Sequence, residues 1–255
     1  MELITHNLSS ALPYIDILPL SDLHLGSRQC NVKLFKACVD WIVAKPNRYT
    51  WINGDFLDLA LSESVGDNYD AVMRPNDAFK YLRKLVAPLK DRVLGITEGN
   101  HEWRLTGKAD VNLTEIIADD LNAYYNPDGV YTRIRLGKGR NGKPVVYTIY
   151  FTHGTGGGRE SGGKLKNSEA AGKICLADLY SIGHVHKRQY TEDVFYVPDH
   201  QNGGVLPVHR RYISTGSFLE YGGYGQRKVY TPTVVGAMPK IRLDGRSKHI
   251  TVTLD

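Results

Sequence analysis

Several things are scarce in this 255-residue chain, and each scarcity narrows what it can be. The three cysteines, Cys30, Cys38 and Cys175, are odd in number and contain no C-x-x-C pair, so a reducing, cytoplasmic setting is the simpler expectation. No apolar run approaches the ~20 residues of a membrane span, and no membrane partner is expected. The N-terminus lacks a basic start, and Pro13, Asp16 and Pro19 interrupt its one apolar stretch, unlike a secretory leader. Internal repeats and long low-complexity linkers are missing too, which leaves one unit over 1–255, long enough to bury a substantial core. Acidic excess is absent: 32 Lys plus Arg against 27 Asp plus Glu give +5. That mild balance suits a polyanionic partner without requiring one.

Turning to what is present, Tyr14–Leu20 reads as a buried strand that delivers Ser21-Asp22-Leu23-His24 to its C-terminal edge. Leu34, Phe35, Cys38, Val39 and Ile42 recur at helical spacing before Pro46. Tyr49–Ile52 is a short strand running into Asn53-Gly54-Asp55. Asn76 is a candidate cap for a helix carrying Phe79, Leu82, Leu85, Val86 and Leu89. Val93–Thr97 is again strand-like and leads into Glu98-Gly99-Asn100-His101. Strand, motif and helix therefore alternate, as in βαβ units with a site at the carboxyl ends of the strands. Farther on, Val130–Leu136 and Pro144–Thr152 form a hairpin pattern across the loop 137–143. Strands are expected at Leu179–Ile182, Arg188–Val197, Tyr212–Thr215, Ile241–Leu243 and Ile250–Leu254, with a turn at Asp244-Gly245.

Five short motifs follow one another: Asp22-Leu23-His24, Gly54-Asp55, Gly99-Asn100-His101-Glu102, His153-Gly154 and Gly183-His184-Val185-His186. They supply two Asp, one Asn and four His as candidate ligands, enough for two metal ions sharing a carboxylate. Carboxylate, amide oxygen and imidazole together suit borderline divalent metals rather than soft ones. Taken singly the motifs are weak. A lone histidine such as His153 is ordinarily a hydrogen-bonded interior residue, and an isolated Asp55 after a strand would merely cap a helix. Seven such residues in motif order are hard to assign to accident. The i,i+2 pairs Asp22/His24 and His184/His186 share a face if extended, and a bend would splay them toward two metals.

In this order the blocks resemble the calcineurin-like metallophosphoesterase superfamily, whose signature is D-x-H, G-D-x-x-D, G-N-H-[DE], a single His with Gly, then G-H-x-H. The matches are Asp22/His24, Gly54-Asp55-Phe56-Leu57-Asp58, Gly99-Asn100-His101-Glu102, His153-Gly154 and Gly183-His184-Val185-His186, over roughly two-thirds of the chain. The resemblance implies an α/β fold, a four-layer α-β-β-α sandwich with two central mixed sheets flanked by helices. It also implies two divalent metal ions, with manganese first and Fe, Zn, Ni or Mg as alternatives. One would be held by Asp22, His24, Asp55 and His186, the other by Asp55, Asn100, His153 and His184. A hydroxide bridging the metals would attack phosphorus, His101 would protonate the leaving oxygen, and Asp58 or Glu102 would orient its ring.

Ser21 before Asp22, Leu25 after His24 and Leu59 after Asp58 depart from the Ser/Thr protein phosphatase branch. The opening Ser21–Gly26 is closer to bacterial nuclease subunits, lipid-A-pathway pyrophosphatases and small phage members, although those usually end the third block in Asp where Glu102 stands. Substrate clues are thinner. The stretch 154–166 is Gly-rich with Arg159, Lys164 and Lys166. It misses a P-loop because Leu165 replaces the Ser/Thr, and reads either as a mobile flap whose cations reach phosphate or as a solvated loop. Asn100 and Arg104 are further candidates for substrate phosphate, Arg104 alternatively pairing with an acid. Arg210, Arg211, Phe218, Tyr221, Tyr224, Arg227 and Lys228 interleave bases and aromatics, as a nucleic-acid surface does and as strand packing does. The expectation is a phosphodiesterase acting on a nucleotide or nucleic acid, with a phosphomonoesterase or a non-catalytic binding module as alternatives.

Overall fold

A computed structural model describes residues 1–59, 71–156, 161–227, 232–236 and 238–254. Side chains at 161, 162, 164, 165, 224 and 225 fall outside the description. Two sheets are stacked face to face. The first has strand order β11-β10-β2-β3-β4, formed by Ile250–Thr253, Lys240–Asp244, Tyr14–Ile17, Arg48–Asn53 and Val93–Thr97. The second has order β1-β5-β6-β7-β9-β8, formed by Leu3–Asn7, Val130–Leu136, Val145–Thr152, Leu179–Ile182, Gly204–Ser214 and Gln189–Asp199. Both are mixed: β2, β3 and β4 run parallel while β10 is antiparallel to β2, and β6, β7 and β9 run parallel beside antiparallel β5 and β8.

Strand alternation assigns each face its layer. Trp51, Ile15, Ile17 and Leu94 turn toward Ile134, Tyr147, Ile149, Phe151 and Leu179, making the core between the sheets. Trp51 stacks on Phe151 at 5.3 Å between ring centroids. Leu20, Ile52 and Ile96 turn the other way, against α1 (Val32–Val43), α2 (Pro75–Val86) and α4 (Leu113–Leu121). On the outer face of the second sheet, Tyr150, Tyr180 and Tyr212 pack with Ala171 of α5 (Ser161–Ala171). The result is the α-β-β-α sandwich that the resemblance implied. Each large side chain buried in these layers contributes about 2 kcal/mol of transfer free energy.

Local chemistry accounts for most boundaries. Phe35, Val39 and Ile42 form the buried stripe of α1, whose first turn is capped by Asn31 Oδ1 accepting from Leu34 N at 3.0 Å. In α2 the expected cap, Asn76, lies inside the first turn instead. Pro75 occupies N1, where its missing N–H costs nothing, and Arg74 is the flanking residue. Strand β9 starts at Gly204, well before the expected Tyr212, because its outer half pairs only with β8. Of the Gly-rich stretch read as a flap or a solvated loop, residues 157–160 lie outside the described residues and the part from Ser161 onward is helix α5, despite Gly162 and Gly163. Helices α3 (Asn100–Ala109) and α4 have no counterpart in the periodicity reading, although Asn112-Leu113-Thr114-Glu115 is a capping signal and Asn112 Oδ1 accepts from Glu115 N. Among the described residues no helix is long and apolar enough to cross a membrane, and the three cysteines are unpaired.

Candidate metal centre

The five motifs leave the C-terminal ends of β2, β3, β4, β6 and β7, so both sheets feed one edge of the sandwich. Polar bonds stitch the sheets together just beneath it. Trp51 Nε1 and Asn53 Nδ2 both reach Ser181 Oγ, at 3.3 and 3.1 Å. Asn53 supplies its carbonyl to His153 Nδ1, which orients that ring and directs Nε2 into the pocket.

All seven candidate ligands come together there. His186 Nε2 lies 3.1 Å from Asp22 Oδ1 and 3.1 Å from His24 Nε2, while His24 Nε2 is 3.8 Å from Asp55 Oδ2. On the other side of Asp55, His153 Nε2 is 3.2 Å from Oδ2 and 3.1 Å from Asn100 Oδ1. His184 Nδ1 is 2.8 Å from Asn100 Oδ1 and 3.3 Å from His153 Nε2. Asp22, His24 and His186 form one potential metal-holding group, and Asp55, His153 and His184 a second. Asp55 reaches both. The pair His184/His186 is splayed, one imidazole to each cluster. Asp22, Asp55, His24 and His153 are buried, whereas the His186 side chain is 34% exposed and marks the open side.

The backbone is costly at these positions. Eight non-glycine residues among those described have positive φ, and five of them are Asp22 (53°), His24 (50°), Asp55 (52°), His184 (65°) and His186 (54°). A left-handed conformation costs a non-glycine residue on the order of 1–2 kcal/mol. Glycine is demanded where chains press together. A Cβ on Gly99 would overlap Asp55 N, one on Gly54 would overlap Gly99 N, and one on Gly183 would overlap Ser21 Oγ. Asp22 is held from several sides: Ser21 Oγ donates to Oδ2, His184 N donates to Oδ1 at 3.1 Å, and Phe218 N donates to the Asp22 carbonyl. Of these supports only Ser21, next to its motif, carries a signal readable in sequence.

Electrostatics follow from burial and mutual contact. Burial drives the Asp55 carboxyl up, but the charge and hydrogen bond of His153 prevail and leave it well below the usual range. For His153 the burial penalty is outweighed by the Asp55 charge and bond, raising it to about 10. Burial and the neighbouring His101 charge pull His24 down to about 3. Imidazole nitrogens 3.1–3.3 Å apart, each facing a carboxylate or amide oxygen, form a converging set of ligand atoms that a cation could occupy on displacing the His153 proton. Intermediate N and O donors of this kind fit a pair of divalent cations.

Around the clusters, His101 Nδ1 bonds Asp58 Oδ1 at 3.1 Å, which settles which acid faces that ring. Burial lowers the His101 pKa, but the Asp58 bond and the Asp55 charge leave it raised. Glu102 is elsewhere: Oε2 accepts from Asp55 N at 3.0 Å and Oε1 from Leu57 N at 2.8 Å. Arg104 Nη1 is 3.4 Å from both the Leu59 carbonyl and His101 Nδ1, beside the His101–Asp58 pair. Arg159 and Lys228 lie outside the described residues, as do the side chains of Lys164 and Tyr224. Much of the basic–aromatic stretch packs as strand. Arg210 pairs with Asp193 at 2.6 Å and covers Phe195 at 3.9 Å, Arg211 lies 3.9 Å from Glu192, and Tyr212 and Phe218 are buried.

No protein-family model and no curated protein matches the chain. Among solved structures it is similar to a conserved uncharacterized protein of Streptococcus pneumoniae TIGR4, described as a predicted phosphoesterase, at 13% identity and TM-score 0.40, covering 96% of this chain and 91% of that one. It is similar to a metallophosphoesterase from Sphaerobacter thermophilus at 16% identity and TM-score 0.41, covering 90% and 84%. A third likeness is to GAP50, the anchor in the inner membrane complex of Plasmodium, at 13% identity and TM-score 0.47, covering 94% and 84%. At these identities and TM-scores none of the three adds to what the side chains themselves establish.

Proposed function

We propose that the chain is a dinuclear metal-dependent phosphoesterase and, within that class, a phosphodiesterase acting on a nucleotide or nucleic-acid phosphodiester. One observation carries the reading: seven side chains from five motifs converge into two donor clusters that share the Asp55 carboxylate. Asp22, His24, Asp55 and His186 would hold one cation, and Asp55, Asn100, His153 and His184 the other, manganese being the first choice. A bound pair supplies Lewis-acid stabilisation of the phosphoryl charge and a nucleophile at neutral pH.

The remaining tasks fall to the chain itself. His101, tied to Asp58 through Nδ1, keeps Nε2 for handing a proton to the leaving oxygen. Asn100 opens the ten-residue helix α3, so the partial positive charge of that helix end faces the same region and favours an anionic group there. Arg104, next to the His101–Asp58 pair, adds a fixed cation at the rim.

Support for a diester of nucleic-acid type is thinner. It consists of the mild basic balance and two exposed aromatics: Trp103 on α3, 56% exposed and two residues past His101, and Tyr221, 48% exposed. Each offers a face on which a base can stack. The test is a panel on manganese-loaded protein with bis-p-nitrophenyl phosphate, p-nitrophenyl phosphate, cyclic nucleotides, and single- and double-stranded DNA and RNA. Hydrolysis of diesters is expected. Turnover of the monoester alone moves the reading to a phosphomonoesterase, and none at all moves it to a binding module.

A further inference from the structure

We infer that Glu102 is the positioning residue that sets the shared carboxylate, locking the turn at Asp55 and tying it to helix α3. This rests on the phosphoesterase reading. The side chain is 3% exposed and lies in the first turn of α3. Its two oxygens go to two different amides of the loop after β3, Asp55 N and Leu57 N. In return, Asp55 Oδ1 accepts from His101 N of α3 at 2.9 Å. The backbone of Asp55 is therefore held by a side chain of α3, and its side chain by the backbone of α3. This reciprocal pair fixes the Asp55 carboxylate relative to Asn100 and His101, which ride on the same helix.

Three features make the clamp specific. Asp55 sits at φ 52°, a left-handed conformation that Asp adopts at a modest cost, and the Glu102 bonds to Asp55 N and Leu57 N hold the loop in it. Gly54 and Gly99 bring the two backbones into direct contact, and a Cβ on Gly99 would come 2.6 Å from Glu102 Oε2, so the loop has no room to relax. Both partners of the carboxylate are N–H donors, so both oxygens must accept. A glutamine of the same shape turns one NH2 against a donor and leaves a buried amide unsatisfied. The ring of His101 is not involved, since Asp58 holds it.

The experiment uses the full chain stripped of metal, comparing wild type with Glu102→Gln, Glu102→Asp and, as a packing control, Ile117→Val, which trims one methyl in the core over the same sheet. Manganese titration by calorimetry, kcat, KM, melting temperature in EDTA and hydrogen exchange of the 54–58 peptide are measured. Glu102→Gln should weaken manganese binding about 10–100-fold, lower kcat with little change in KM, and speed exchange at 55 and 57 even in EDTA. Glu102→Asp, with two acceptors on a shorter arm, should recover part of each. Ile117→Val should lower the melting temperature without moving manganese affinity. Unchanged exchange and unchanged manganese affinity in Glu102→Gln overturn the inference, as does an equal loss of affinity in Ile117→Val. Wild-type protein that takes up none of manganese, iron, zinc, nickel or magnesium overturns the phosphoesterase reading instead, while exchange in EDTA still reports on the clamp.

Discussion

The edge that gathers the five motifs and the outer half of the β8–β9 hairpin are built on opposite principles. At the motif edge, charged and polar groups are buried, five ligand-type residues take left-handed backbone conformations, and glycines stand where chains touch. In the hairpin, Asp193–Asp199 and Gly204–Arg210 pair residue for residue and, among the described residues, pair with no other strand, while Val194, Phe195, Tyr196, Val205 and Leu206 stay 44–69% exposed. The hairpin is regular because its ladder is set mainly by its own partner strand. The motif edge is irregular because contacts from five strand ends and one helix overrule local preference. Conformational cost therefore gathers where chemistry is proposed, as expected for a preorganised site.

Breaking the costly side should have the largest consequences. Asp55→Asn removes the charge both clusters share, and diester turnover should fall about 10³-fold, equivalent to about 4 kcal/mol of barrier; a loss below tenfold would contradict the shared-carboxylate assignment. Two glycines sharpen the contrast. Gly99→Ala drives a Cβ into the Asp55 backbone and should cost about 3 kcal/mol or more of unfolding free energy in urea. Gly203→Ala in the hairpin turn has φ 68° but nothing within 4 Å, and should cost only about 1 kcal/mol.

Metal supply should act on one region only. Manganese at about 100 times its dissociation constant should add about 2.7 kcal/mol per site, or roughly 5–10 °C in melting temperature, reversed by EDTA and absent in Asp55→Asn. Next comes pH. Because the Asp58 bond helps leave the His101 pKa raised above its ordinary 6.5, the protonated acid persists to higher pH. Activity should fall on the alkaline side as pH rises through that raised value. Asp58→Asn should bring that limb to lower pH, and an unmoved profile would remove Asp58 from its role. On the alkaline side, stability from the His101–Asp58 pair has the same sign, lost as pH climbs through the raised His101 value, and on the acid side it is lost as pH falls through the lowered Asp58 value. The smallest effect belongs to the hairpin. Asp193→Asn removes the Arg210 partner and should cost at most about 1 kcal/mol, with turnover unchanged.

Legibility divides along the same line. Runs such as Val93–Thr97 and Leu179–Ile182 were readable to the residue because they are short, largely apolar and buried on both faces, and Val130–Leu136 because burial alternates along it with Arg133 and Arg135 exposed. The hairpin was half readable: Arg188–Val197 stood out, but Gly204–Arg211 holds Pro207 and mixes apolar with basic residues, so its pairing depends on β8. Helix α5 escaped because Gly162 and Gly163 argue for a loop by propensity, and packing against β7 and β9 overrides them. The candidate ligands were legible because their chemistry is encoded in residue type and order. Their supports were not. Ser181, the Asn53 carbonyl and Ser217 meet the motifs only across the two sheets.

The amino-acid sequence by itself determined which side chains could hold metal and which strand each would follow, because both are properties of residue type and local apolar pattern. Only the tertiary structure decided how those residues meet. Burial between two sheets and a helix brought both clusters within reach of Asp55, gave His101 to Asp58, and placed Glu102, the other acid considered for that ring, on the loop that carries the Asp55 carboxylate. Such choices depend on which buried donors lack partners once the layers close, and no local stretch of sequence contains that information.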